Sequence, residues 1–152
     1  MLAFLFFLLA SGAAASTGAI FKPGNWYDGL TKPGFTPPKW VFPVAWTTIY
    51  LLSAIAAARI AGLPGAGTPL AIWAAQIALN TLWTPVFFGA RRMAAAMVVM
   101  ALLWVAVVGM TIAFWRLDTL AGVMLLPYVV WICIAAALNW RVWRDNPGAS
   151  AR

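Results

Sequence analysis

"PLAIWAAQIALNTLWTPVFFGARR", residues 69–92, is an apolar run broken by two amides and closed by two arginines. Pro69 to Gly89 carries no charge. As a helix rising ~1.5 Å per residue, that stretch crosses the roughly 30 Å hydrocarbon layer of a bilayer. Gln76, Asn80, Trp83 and Phe87 fall at i, i+4, i+7 and i+11, a single stripe down one helix face. Amides inside a bilayer are costly unless they face protein and find partners. The stripe therefore demands further helices around it.

Four other segments have the length and composition to supply them: Leu2–Phe21, Val41–Gly62, Met93–Trp115 and Thr119–Trp140. The runs are too long for barrel strands and lack period-two alternation. The chain is 64% hydrophobic and 9% charged, against about 25% charged in a soluble domain. Residues 1–152 thus read as one all-α integral membrane domain, a five-helix bundle with spans at about 2–21, 41–62, 69–89, 93–115 and 119–140. The first segment, "LAFLFFLLASGAAASTG", has the apolar core and Ala-x-Ala site of a secretory signal. It lacks a basic leader and stays apolar through Ala19, Ile20 and Phe21, so it reads as a span. The last three links are short, which predicts antiparallel neighbours from the second span to the fifth.

Charge sets an orientation. The first and third links and the tail hold Lys22, Lys32, Lys39, Arg91, Arg92, Arg141, Arg144 and Arg152, whereas the other side holds Arg59 and Arg116. The positive-inside rule then predicts a cytoplasmic first loop and C-terminus, with the N-terminus outside. This explains the net charge of +7 without nucleic acid, which is not an expected partner.

Two more stripes join the first: Trp46, Tyr50 and Ser53 on the second span, and Tyr128, Trp131, Ala135 and Asn139 on the fifth. Antiparallel traffic brings them to overlapping depths near the first-loop end, so the three stripes are expected to face one another. Above them the first loop carries Pro33, Pro37 and Pro38, which stiffen it, while Pro43 falls in the first turn of the second span. With Trp26, Tyr27, Phe35 and Trp40 as an apolar underside, the loop reads as a lid over an aromatic pocket. The lid residues are Pro33, Phe35, Pro37, Pro38 and Trp40.

The third span also spaces Ala71 and Ala75, and Ala74 and Ala78, four apart, letting backbones approach closely in lipid. These alanines are expected to form a homodimer interface on a face offset from the amides. There is no histidine or glutamate, and the acids are Asp28, Asp118 and Asp145. That inventory offers no metal site built on histidine and no conventional acid–base set. The lone Cys133 sits in an apolar run and is expected to be a small buried side chain.

Three stretches carry a family resemblance: "KPGNWYDGLTKPGFTPPKWVFPVAWTTIY" (22–50), "AQIALNTLWTPVFFGARR" (75–92) and "LLPYVVWICIAAALNW" (125–140). In order and over essentially the whole chain, they resemble the TspO/translocator proteins, also called tryptophan-rich sensory proteins and once peripheral-type benzodiazepine receptors. The resemblance implies a dimeric five-helix receptor or regulator for tetrapyrroles such as protoporphyrin and haem, with sterol or benzodiazepine-type ligands in some members. It implies no obligatory cofactor, the porphyrin being a ligand. The matching pocket positions are Trp26, Trp46, Tyr50, Asn80, Trp83 and Trp131. Light-dependent porphyrin degradation in some members would make Trp46 and Trp131 the catalytic candidates. Transport of porphyrin or sterol is the other function the resemblance admits. Gly34 and Phe35 stand where many members have tryptophan, and no Lys or Arg follows Tyr128 within five residues to complete the sterol motif of animal members.

Overall fold

The computed structural model describes residues 1–150. Five long helices cross the molecule: α1 (Leu2–Ile20), α3 (Val41–Ile60), α4 (Gly67–Thr84), α5 (Met93–Leu117) and α6 (Thr119–Asp145). The short α2 (Asn25–Asp28) lies in the first loop, and a π turn, Pro85–Gly89, continues α4. All five have the length and hydropathy of membrane spans, and no strand occurs among the described residues.

The helices close into a ring in the order α1, α3, α6, α5, α4 and back to α1. This corrects one expectation. α3 and α4 follow each other in sequence but do not pack side by side, because α1 lies between them and packs on both. Their link of residues 61–66 could reach roughly 20 Å when extended, whereas adjacent helices lie 8–10 Å apart. A six-residue link therefore leaves room for an intervening helix. Phe7 of α1 fills the wedge, edge-on to Trp73 of α4 with centroids 4.8 Å apart.

Two helix ends depart from the expected spans. Pro85 has no N–H to continue the α-helical ladder, and the chain relaxes into a wider turn in which Ala90 N–H donates to Pro85 O at 2.7 Å. α6 runs on to Asp145, five residues past Trp140. Arg141 and Asp145 support this last turn as an i, i+4 ion pair at 3.1 Å.

At the opposite end, Asp118 ends α5 and begins α6. Its Oδ1 accepts Ala121 N–H at 2.8 Å as an N-cap, and its Oδ2 meets Arg59 of α3 at 2.7 Å. The Arg59 hydrogen bond, aided by that backbone N–H, holds the carboxyl below its usual pKa. One side chain thus fastens three helices. Just beyond it α5 and α6 touch so closely that a Cβ on Gly122 would lie 2.7 Å from Trp115 Cα. Backbone cannot yield as a side-chain tip can. Gly122→Ala should lower the stability of purified protein by about 1–3 kcal/mol in a denaturation titration. Gly109→Ala, which meets nothing within 4 Å, should leave stability unchanged or raise it. Equal effects would mean that this crossing is not tight.

Candidate functional site

The three stripes meet inside the ring. Tyr50 of α3 donates its hydroxyl to Asn80 Oδ1 of α4 at 2.8 Å. Asn80 Nδ2 donates to Tyr128 Oη of α6 at 2.8 Å, and Tyr128 donates in turn to Gln76 Oε1 at 2.9 Å. Deeper along α4, Trp73 Nε1 donates to Ser53 Oγ at 2.8 Å. Towards the loop end, Trp83 Nε1 donates to Asn139 Oδ1 at 2.9 Å, and Asn139 Nδ2 donates to Met93 O at 3.3 Å. Most polar side chains on the inner faces of α3, α4 and α6 thereby find partners within the bundle, and Asn80 uses both ends of its amide.

Aromatic rings pack on this chain of bonds. Trp46 stacks on Tyr50 at 5.5 Å and meets Tyr128 and Trp131 edge-on at 6.0 and 6.4 Å. Phe42, at the start of α3 and one turn before Trp46, also meets Trp131 edge-on at 5.5 Å. Trp131 is 7% exposed, and its indole N–H has no partner. Gln76 Nε2 is likewise buried and unpartnered. An unpaired buried donor typically costs 1–3 kcal/mol. The cluster therefore holds two buried donors without a protein acceptor, Trp131 Nε1 and Gln76 Nε2. Its chemistry suits a flat, largely apolar molecule bearing a few acceptor atoms. It offers no nucleophile–base pair.

A second layer lies above. Trp83 stacks on Phe87 at 5.0 Å, and Phe87 meets Trp26 and Tyr27 edge-on at 5.9 and 6.2 Å. The first loop is tied down here by the tail. Asn146 Oδ1 accepts Thr31 N–H at 2.8 Å while its Nδ2 donates to Thr31 O at 2.9 Å, and Trp26 Nε1 donates to Ala149 O at 3.0 Å.

The TspO/MBR family model matches residues 4–144. The chain belongs to the TspO/MBR family. It is 52% identical to Protein CrtK of Rhodobacter capsulatus over 149 residues, covering 95% of this chain and 93% of that one. It is 53% identical to the Tryptophan-rich sensory protein of Cereibacter sphaeroides, with 94% and 90% covered. The human Translocator protein is 37% identical over 150 residues, with 93% and 89% covered.

Of the six pocket positions that TspO resemblance implied, Trp46, Tyr50, Asn80, Trp83 and Trp131 line the ring interior. Trp26 stands one layer out, reaching them through Phe87 and Trp83. The lid divides. Pro33 is buried and Pro37 half-buried, but Pro38 is exposed, as are Phe35 at 53% and Trp40 at 67%. Of the expected underside Trp26 and Tyr27 pack inward, joined by Leu30 rather than by Phe35 and Trp40, against Phe87, Phe88 and Val142. Cys133 is exposed rather than buried, its sulfur accepting from Trp104 Nε1 at 3.2 Å. Sequence reasoning had not brought Phe42 or the Asn146 clamp to the site. "DNPG" at 145–148 is a turn signal that could have pointed to a returning tail.

If the bonds at Asn80 join α3, α4 and α6, Asn80→Leu should cost about 1–3 kcal/mol, since it breaks the bonds to Tyr50 and to the buried Tyr128 at once. Tyr50→Phe breaks only the Tyr50–Asn80 bond and leaves Asn80 Nδ2 on Tyr128, so it should cost less, about 0.6 kcal/mol, typical of a single hydrogen bond between membrane helices. Unfolding titrations in mixed micelles would measure both. An Asn80→Leu protein as stable as its parent would show that the helices are held by packing alone.

Proposed function

We propose that this TspO-family protein is a membrane receptor or regulator that binds tetrapyrroles between Trp46, Tyr50, Asn80, Trp83 and Trp131. The observation that carries the reading is the buried, unpartnered indole N–H of Trp131, framed by Trp46 and Phe42. A porphyrin supplies both missing parts, a broad π face for the rings and acceptor atoms for the donor. The chain has no histidine to ligate iron, so binding rests on ring contacts, and protoporphyrin and haem are expected to bind alike. By the positive-inside rule we orient the first loop, the "ARR" turn and the tail to the cytoplasmic side.

Light-dependent degradation is a second reading, favoured by the direct contact of Trp46 and Trp131, two oxidisable indoles. One titration separates the two. Protoporphyrin is added to purified protein in detergent in the dark and the sample is then illuminated. A receptor gives binding with a stable Soret band, whereas a degrading protein loses the band with light. Trp46→Phe and Trp131→Phe should each weaken binding up to about tenfold, as 0.5–1.5 kcal/mol per aromatic contact implies. Unchanged affinity in the double variant would return both residues to packing.

We also propose a homodimer through α4. Ala71, Ala74, Ala75 and Ala78 are all exposed on this helix, whereas Gln76 and Asn80 are buried on its other face. Small residues on an uncovered face permit close helix approach in lipid. Ala75→Leu should convert crosslinked dimer to monomer while leaving porphyrin affinity within about twofold. Persistence of the dimer would place the interface elsewhere.

A further inference from the structure

A cleft of about 440 Å³ opens beside the first loop, lined by Lys22, Gly24, Asn25, Trp26, Phe88 and Arg91. It is separate from the aromatic cluster, on the outer side of the Trp26–Phe87 layer. Its size falls in the range of small-ligand sites. We propose that it binds the phosphate of an anionic phospholipid headgroup at the membrane surface.

The floor is aromatic, from Trp26 and Phe88, and the rim holds two cations. Neither Lys22 nor Arg91 meets a carboxylate among the described residues, although Lys39, Arg59 and Arg141 each do. Positive-inside topology requires cations on this side but does not require two of them to converge on one cleft. The Arg91 guanidinium lies over the Trp26 ring at 5.8 Å, which orients its plane and leaves its N–H edges for an acceptor.

Two local features accompany that arrangement. Arg91 takes φ +55, a left-handed conformation uncommon for a residue other than glycine. The end of α1 is drawn in by Phe21, which packs so closely on Gly89 that a Cβ there would lie 2.8 Å from its ring. This contact sets Lys22, the next residue, across the cleft from Arg91.

Depth selects the occupant. Lys22 follows the last apolar residues of one span, and Arg91 follows the π turn that ends another. Both therefore lie at the level of lipid headgroups rather than in the acyl region or free solution. Basic pockets between spans on the cytoplasmic face are recognised headgroup sites, and Arg binds phosphate through paired N–H groups.

The test is a native mass-spectrometric titration of the detergent-purified protein with phosphatidylglycerol, phosphatidylcholine and inorganic phosphate. The parent should retain phosphatidylglycerol at least tenfold more strongly than phosphatidylcholine. Lys22→Gln and Arg91→Gly should each lower phosphatidylglycerol affinity about fivefold or more. Glycine suits φ +55, so Arg91→Gly should lose lipid without losing thermal stability. Arg92→Gln removes a neighbouring charge outside the cleft and should change affinity less than twofold. An equal loss with Arg92→Gln, or none with Lys22→Gln and Arg91→Gly, would overturn the site. Inorganic phosphate displacing the lipid at equal concentration would reassign it to a free anion.

Discussion

An amide placed in a bilayer must find its partners inside the protein, and Asn80 is the residue through which this structure meets that requirement. With Tyr50 on one side of its amide and Tyr128 on the other, it joins three helices at one point. The rest of the ring is arranged around this junction. Trp46 stacks on one of the bonded tyrosines and meets the other edge-on, so the polar chain also fixes the aromatic cluster. Apolar helices in lipid gain little from hydrophobic sorting among themselves, and a few directional bonds can therefore set their rotation.

The same constraint shapes a site. Inside a bilayer, a donor left over after folding can turn to little else than a ligand. Most polar atoms of the cluster are used up between α3, α4 and α6, while Trp131 Nε1 and Gln76 Nε2 are not. Trp46 and Phe42 each meet Trp131 edge-on, so a flat ligand entering here would exchange ring–ring contacts for ring–ligand contacts. The loop above is fastened by Asn146 and Ala149 rather than by its prolines alone. Any displacement of the loop would have to break these bonds to the tail.

Much of this was legible in the chain, for a physical reason. Gln76, Asn80 and Asn139 stand out because an apolar span tolerates few amides, and helical spacing places Trp83, Tyr128 and Trp131 beside them. What escaped was set by geometry that sequence leaves open. A six-residue link does not say whether α3 and α4 are neighbours, and α1 took the place between them. α6 runs five residues past Trp140, where the apolar run ends, so the hydropathy of the span did not set the helix end at Asp145. Phe35 and Trp40 are apolar without being buried, because a headgroup layer accommodates aromatic side chains that water alone would not. Trp26 was placed in the pocket by resemblance, whereas its bond to Ala149 depends on a tail that no helical period describes.

The most direct test is an indole N–H spectrum of tryptophan-labelled protein during a dark titration with protoporphyrin. Trp131 is assigned by its loss in Trp131→Phe and Trp73 by its loss in Trp73→Phe. An indole already bonded to protein should be insensitive to ligand, and a buried unbonded one should not. The Trp131 signal should move in step with porphyrin absorbance, while the Trp73 signal, bonded to Ser53, stays in place. Porphyrin binding with a stationary Trp131 signal would contradict the account.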